Sequence, residues 1–168
     1  MRVIDQRLFS ELCATGDIQH ESCEFLDDIK IGLRINSVVL EMPETIVASD
    51  IESIHTQSVD LINTPLLARR FYLATTTEKI RVSNRILGFL HTRSRWARLG
   101  LDCLRSSNFL SPGFGGKVPV PLILELRPAL NIHHIDLEQA IAAMVLFELD
   151  KPVMTKDSDH HTRFPLGY

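Results

Sequence analysis

Residues 29–35, IKIGLRI, alternate without a fault: Ile29, Ile31, Leu33 and Ile35 fall on one side, Lys30, Gly32 and Arg34 on the other. A period of two marks a strand with one face buried, and such a strand needs partners. The chain offers several. SVVLEM (37–42) follows directly. RRFYLATTTEKIRV (69–82) is rich in β-branched and aromatic residues, with a bend expected at 75–78. RILGFLHT (85–92) and the apolar run PLILEL (121–126), which holds one carboxylate, complete the set. FLSPGFGGKVPV (109–120) is dense in turn residues, and neither Pro119 nor Pro121 can donate to a ladder, so a bulge or sheet edge is expected there. Many short strands separated by turns predict an all-β sandwich or barrel.

Two segments read differently. In DQRLFSELCATG, Asp5 can cap a short helix, Leu8, Phe9 and Leu12 share a face, and Gly16 can end it. DLEQAIAAMVLFEL (136–149) has a capping aspartate and helix-forming residues at its start, yet its second half suits a buried strand equally well; periodicity does not arbitrate. At 168 residues the chain is expected to form a single domain, residues 1–168, with a mobile tail over 152–168.

Composition narrows the function classes. The 18 basic and 21 acidic residues give a net charge of −3, which argues against a general nucleic-acid binder. No apolar run approaches the length of a membrane span, and the N-terminus has no secretory pattern, so a cytoplasmic protein is expected. Cys13, Cys23 and Cys103 are odd in number and widely spaced, which speaks against a disulfide framework and fits a reducing compartment.

Against that acidic background HTRSRWARLG (91–100) stands out, because it gathers Arg93, Arg95 and Arg98 into six residues. Ser94 can act as an N-cap, 95–99 can form about one helical turn, and Gly100 can supply a left-handed stop. Backbone N–H groups at a helix start, with the fork of Arg93 beside them, can cradle phosphate. By themselves these residues fit a charged surface turn better than a cradle.

The wider context changes that reading. Arg93, Ser94, Arg95, Trp96, Ala97, Arg98, Leu99, Gly100 and Leu101 match an arginine-serine-serine-leucine-alanine-arginine-leucine-glycine-leucine motif. Leu73, Ala74, Thr76 and Glu78 match a Leu-Ala-x-Thr-x-Glu stretch upstream of it. Ser111, Pro112, Gly113, Phe114 and Gly116 match Asp-Pro-Gly-aromatic-x-Gly downstream, and Leu124, Glu125 and Leu126 match a Leu-Glu-Leu strand. In these motifs, over roughly residues 3–150, the chain resembles the dCTP deaminase branch of the trimeric dUTPase superfamily.

The resemblance implies a dUTPase-like distorted β-barrel or jelly roll with a short N-terminal helix, and a homotrimer with sites between subunits. It implies zinc-independent hydrolysis of the 4-amino group of a cytosine nucleotide, above all dCTP to dUTP, with magnesium carried in on the triphosphate. Zinc deaminases use a His-x-Glu and Pro-Cys-x-x-Cys pattern, and neither half occurs here. Carried over, Glu125 shuttles protons while Ser94 and Arg98 position the water; Arg93, Ser94, Arg95, Ser111 and Ile123 contact the nucleotide. The chemistry agrees. A carboxylate among apolar neighbours is poised to exchange a proton, and an arginine can hold charge at a tetrahedral centre.

Departures from the pattern are specific. Ser111 replaces an aspartate; it can still bond a hydroxyl but is a poor base, which weakens a pyrophosphatase reading more than a deaminase one. Arg95 replaces the second motif serine, and the aspartate of an early Ser-x-Asp-Leu-Arg pattern is missing from the matching residues Lys30 to Arg34. About four extra residues separate Gly116 from Glu125; without them Pro121 would stand where the glutamate belongs. Of the tail, Lys156 or Arg163 are the candidates for closing over the triphosphate. The alternative to a deaminase is a nucleotide-binding protein of this fold that has lost catalysis. His133, His134, Asp136 and Glu138, and Asp157, Asp159, His160 and His161, are ligand types, but adjacent residues on a strand point apart, so both sets read as polar surface and no protein-bound metal is expected.

Overall fold

The structure is a computed structural model that describes residues 1–44, 54–104 and 108–154. Residues 155–168 of the expected tail, with Lys156 and Arg163 and the second histidine cluster, lie outside the described residues. In chain order the elements are β1 (Arg2–Val3), α1 (Gln6–Thr15), β2 (Ile18–Glu21), β3 (Lys30–Leu33), β4 (Ile35–Glu41) and β5 (Gln57–Asp60). They continue with β6 (Tyr72–Val82), β7 (Ile86–Thr92), α2 (Ser94–Arg98), β8 (Leu101–Asp102), β9 (Phe109–Leu110), β10 (Val120–Pro128) and β11 (Ala142–Glu148).

These strands form two antiparallel sheets, so the all-β expectation holds. In one, β11 lies between β7 on one edge and β1 and β3 on the other, with β9 beyond β7. The second runs β5-β4-β6-β10-β8, with β2 also on β6. Inward side chains of both sheets, among them Leu33, Ile86, Met144 and Leu146 from the first and Val39, Tyr72, Ile80, Leu124 and Leu126 from the second, join one core. Fully burying each such side chain is worth about 1.5–3 kcal/mol. No helix of the described residues is long and apolar enough to cross a membrane.

Helix α1 forms as its sequence dictates. The Asp5 side chain accepts from the Leu8 N–H at 2.8 Å, Phe9 and Leu12 are buried, and Gly16 ends the helix at φ +81°. The 136–149 ambiguity resolves into two parts. Asp136 accepts the Glu138 N–H through its side chain and the Gln139 N–H through its carbonyl, which makes a turn and not a helix; the strand β11 follows.

Two expectations need correction. Residues 29–35 are not one strand: the ladder breaks at Arg34, where the chain leaves the first sheet after β3 and enters the second as β4. Glu78 holds that corner, accepting from the Arg34 backbone N–H and from its Nε, each at 2.8 Å. Nor do residues 75–78 bend away, since β6 runs on through them and bulges. The bulge expected near Pro121 is present, as the β10–β6 register shifts between Pro121 and Ile123. The turns before it lie against β6. At Gly115 (φ +86°) a Cβ would stand 2.9 Å from the Arg81 Cα, a clearance only glycine allows.

Candidate functional site

The arginine-rich segment is the link between the sheets. β7 ends at Thr92 in the first sheet; α2 follows; Gly100, at φ +80°, turns the chain into β8, which pairs with Arg127 and Pro128 of β10 in the second. Ser94 does not cap α2, contrary to expectation. Arg93 holds the N-cap position in extended conformation, its carbonyl accepts from the Trp96 and Ala97 N–H groups, and Ser94 is the first helical residue. Gly100 supplies the left-handed stop as expected.

What fixes α2 is the segment leading into β11. Trp96 is buried and its Nε1 donates to the Ala140 carbonyl at 3.2 Å. Arg93 Nη1 donates to the same oxygen at 3.1 Å, and its backbone N–H donates to the Ile141 carbonyl. Arg95 Nη1 reaches Gln139 Oε1 at 2.7 Å. Ser94, Arg95 and Arg98 lie exposed on the outer side of this anchored turn. Among the described residues no carboxylate pairs with Arg93, Arg95 or Arg98. That is the electrostatic state an anion site requires.

Glu125 lies midway along β10. Leu124 and Leu126 on either side point into the core, so Glu125 points outward with Ile123 and Arg127. It is half-buried on an outer face that mixes apolar and polar residues: its register partner is Leu73 of β6, which in turn pairs with Leu40 of β4, and Val38, Ile123 and Arg127 are exposed nearby on the same face. The Glu125 backbone is tied to the arginine segment by two bonds. Its N–H donates to the Cys103 carbonyl at 3.0 Å, and the Cys103 N–H donates to Thr92 Oγ1 at 3.1 Å. Thr92 immediately precedes Arg93. Burial pushes the Cys103 thiol up to about 12, and Cys23 likewise, so neither offers a thiolate nucleophile near neutral pH.

The candidate residues do not share either of two clefts formed by the described residues. A cleft of about 380 Å³ between α2 and 130–139 takes in Arg95, Trp96, Gln139, His133 and His134, while Ser94, Arg98 and Glu125 line neither it nor the second cleft beside α1. Ser111 is exposed, and its carbonyl accepts from the Phe114 N–H within the turn. His133, His134, Asp136 and Glu138 do not converge; no three metal-ligating side chains do so among the described residues. Sequence reasoning missed the Gln139–Ala140 support and the Thr92–Cys103 tie, because each joins a side chain or main-chain group to a residue distant in sequence, and residue type carries no signal of that pairing.

With this geometry in place, comparison with known proteins is specific. A family described as dCTP deaminase-like matches residues 28–149, a span that includes the arginine segment and Glu125. The dCTP deaminase of Buchnera aphidicola subsp. Baizongia pistaciae (strain Bp) is 38% identical over 74 residues, covering 40% of this chain and 38% of that protein. The 2'-deoxycytidine 5'-triphosphate deaminase of Agrobacterium tumefaciens shares the fold at TM-score 0.62 and 15% identity, over 86% of this chain and 48% of that one. The native dUTPase of EIAV gives TM-score 0.47 at 9% identity, over 84% of this chain and 95% of that one. The chain thus spans less than half the length of either deaminase that it matches.

Proposed function

The chain belongs to the dCTP deaminase-like family, and from that premise we propose that it hydrolyses the 4-amino group of a cytosine nucleotide, dCTP first among them, without a protein-bound zinc. The observation that carries this is the family match across residues 28–149, which contains the arginine segment and the Leu-Glu-Leu strand in one domain. In the proposed reaction Glu125 takes a proton from water as the oxygen bonds to C4 of the base. Glu125 passes that proton to the ring nitrogen, then takes the remaining proton from the C4 hydroxyl and hands it to the amine, and the C4–N bond breaks to leave a carbonyl and ammonia. Ser94 orients the water and Arg98 holds the charge that builds at the tetrahedral centre. Arg93, Arg95, Ser111 and the strand at Ile123 hold the nucleotide, which enters as its magnesium complex.

Assembly belongs to the same proposal. Glu125 sits on the outer face of β10 and the arginines lie on a separate turn, an arrangement suited to sites completed between copies. Static light scattering of the protein is expected to give the mass of three chains, and a stable, active monomer would contradict this.

The second reading, a nucleotide binder without turnover, is favoured by one residue, Ser111 in place of the motif aspartate. Incubation with dCTP, CTP, dCMP and dUTP plus magnesium, followed by chromatography, separates the readings: a uracil product of unchanged phosphate count marks the deaminase, and pyrophosphate marks a pyrophosphatase. The arginine assignment has its own test. Arg93→Ala is expected to weaken binding of dCTP by roughly 1.5–3 kcal/mol, the worth of a charge-assisted bond, and to leave deoxycytidine binding nearly unchanged. Equal loss for both ligands in calorimetric titration removes Arg93 from the phosphate site.

A further inference from the structure

The buried polar or charged side chains among the described residues, Thr75, Thr76 and Glu78, all fall in one stretch of β6. Burial of such groups is unfavourable unless each is bonded. Thr75 Oγ1 accepts from Asn36 Nδ2, and the Glu78 carboxylate takes the Arg34 corner. Thr76 does something different. Its Oγ1 donates to the Glu78 carbonyl at 2.6 Å and accepts the Leu122 N–H of β10 at 2.9 Å. The place is where the β6–β10 ladder changes register. Pro121 pairs with Lys79 and Ile123 with Thr75, so Leu122 alone faces Thr76, Thr77 and Glu78. A hydroxyl here does the work of a ladder carbonyl.

We propose that Thr76 is a positioning residue for Glu125: by accepting the Leu122 N–H it pins the bulge three residues upstream and fixes which face of the sheet Glu125 occupies. Side chains alternate along a strand, so a slip of one residue turns Leu124 outward and Glu125 into the core. Without the hydroxyl, the Leu122 N–H is orphaned inside the core and the local register loses its anchor. This inference rests on the proposed role of Glu125, but its structural half does not need turnover to be judged.

The test uses the full chain with Thr76→Val, which keeps the shape and loses the acceptor, and Thr76→Ser, which keeps the acceptor. For dCTP deamination Thr76→Val is expected to lower kcat by roughly 10²-fold, the usual cost of misplacing a reacting group, with KM little changed. Thr76→Ser is expected to restore kcat to near that of the unmodified chain. Amide exchange should be slow at Leu122 in the unmodified chain and in Thr76→Ser, and faster in Thr76→Val. An unchanged kcat in Thr76→Val, or failure of Thr76→Ser to rescue, overturns the proposal. So does rapid exchange of Leu122 in the unmodified chain, which decides the matter even if Thr76→Val does not fold. If the unmodified chain deaminates no cytosine nucleotide, the proposed function fails, and the Leu122 exchange alone supports or overturns the pinned register.

Discussion

Replacing Glu125 by glutamine is expected to lower the rate of uracil-nucleotide formation by ~10²–10⁴-fold, the contribution typical of a general acid/base. Glutamine preserves the side-chain shape on the outer face of β10 but carries no exchangeable carboxyl proton. The backbone tie is untouched, since it is the Glu125 main-chain N–H that donates to the Cys103 carbonyl. Leu124 and Leu126 keep the strand seated, because both lie fully in the core. Binding of dCTP should therefore change little while turnover collapses. Single-turnover rates alongside calorimetric titration separate the two quantities. A glutamine variant that deaminates at the original rate would remove Glu125 from the mechanism.

The second large effect concerns the corner between the sheets. Glu78 is 1% exposed and Arg34 19%, and they share two bonds of 2.8 Å, one of them to the Arg34 backbone. The hydrogen-bonded Glu78 carboxylate holds the Arg34 guanidinium above its usual pKa, with burial acting against it. Glu78→Ala leaves a largely buried guanidinium and a backbone N–H without their partner. Loss of one member of a buried pair costs about 3–5 kcal/mol. Arg34 keeps partial access to water and a distant contact with Glu24 at 3.9 Å, so the lower end, about 3 kcal/mol, is expected here. Arg7→Ala provides the contrast. Arg7 and Glu11 form a pair on α1 that is 89% and 58% exposed, and removing it should cost under about 0.5 kcal/mol. Urea denaturation of both variants checks the difference; a Glu78→Ala cost no larger than that of Arg7→Ala would show that the corner is held by something else.

How much of this could be read from residue order depends on what each signal measures. Helix α1 was legible because its cap, apolar stripe and stop are local. β7 and β10 were legible as short apolar segments, β10 as a run holding one carboxylate. The break at Arg34 was hidden, since Ile31, Leu33 and Ile35 all point into the same core; alternation reports the buried face and is blind to a change of partner strand. Residues 136–149 stayed ambiguous because Ala142, Ala143 and Met144 are all buried, so β11 shows no alternation to tell it from a helix. β2 (IQHE) and β5 (QSVD) are short and polar, each burying a single residue, and carried no strand signal at all.

The polar run at 75–78 misled for a physical reason. Polar residues between apolar ones ordinarily mark a turn, but here the chain buries Thr75, Thr76 and Glu78 and leaves only Thr77 exposed, using the bonds of Glu78 at the corner and of Thr76 at the bulge. At the site, the resemblance located α2 and the Leu-Glu-Leu strand, whereas the supports at Gln139, Ala140, Thr92 and Cys103 appear only once the chain is folded. Ser94 was misjudged as a cap because its type suits the position; the anchoring of Arg93 to Ala140 and Ile141 starts the helix one residue earlier.

Deamination of a cytosine nucleotide is the central claim, and ammonia release measures it most directly. Purified protein mixed with dCTP and magnesium is predicted to release one ammonia for each dUTP formed, with no pyrophosphate. Tight dCTP binding with no ammonia from dCTP, CTP or dCMP, or pyrophosphate as the product, would contradict the account.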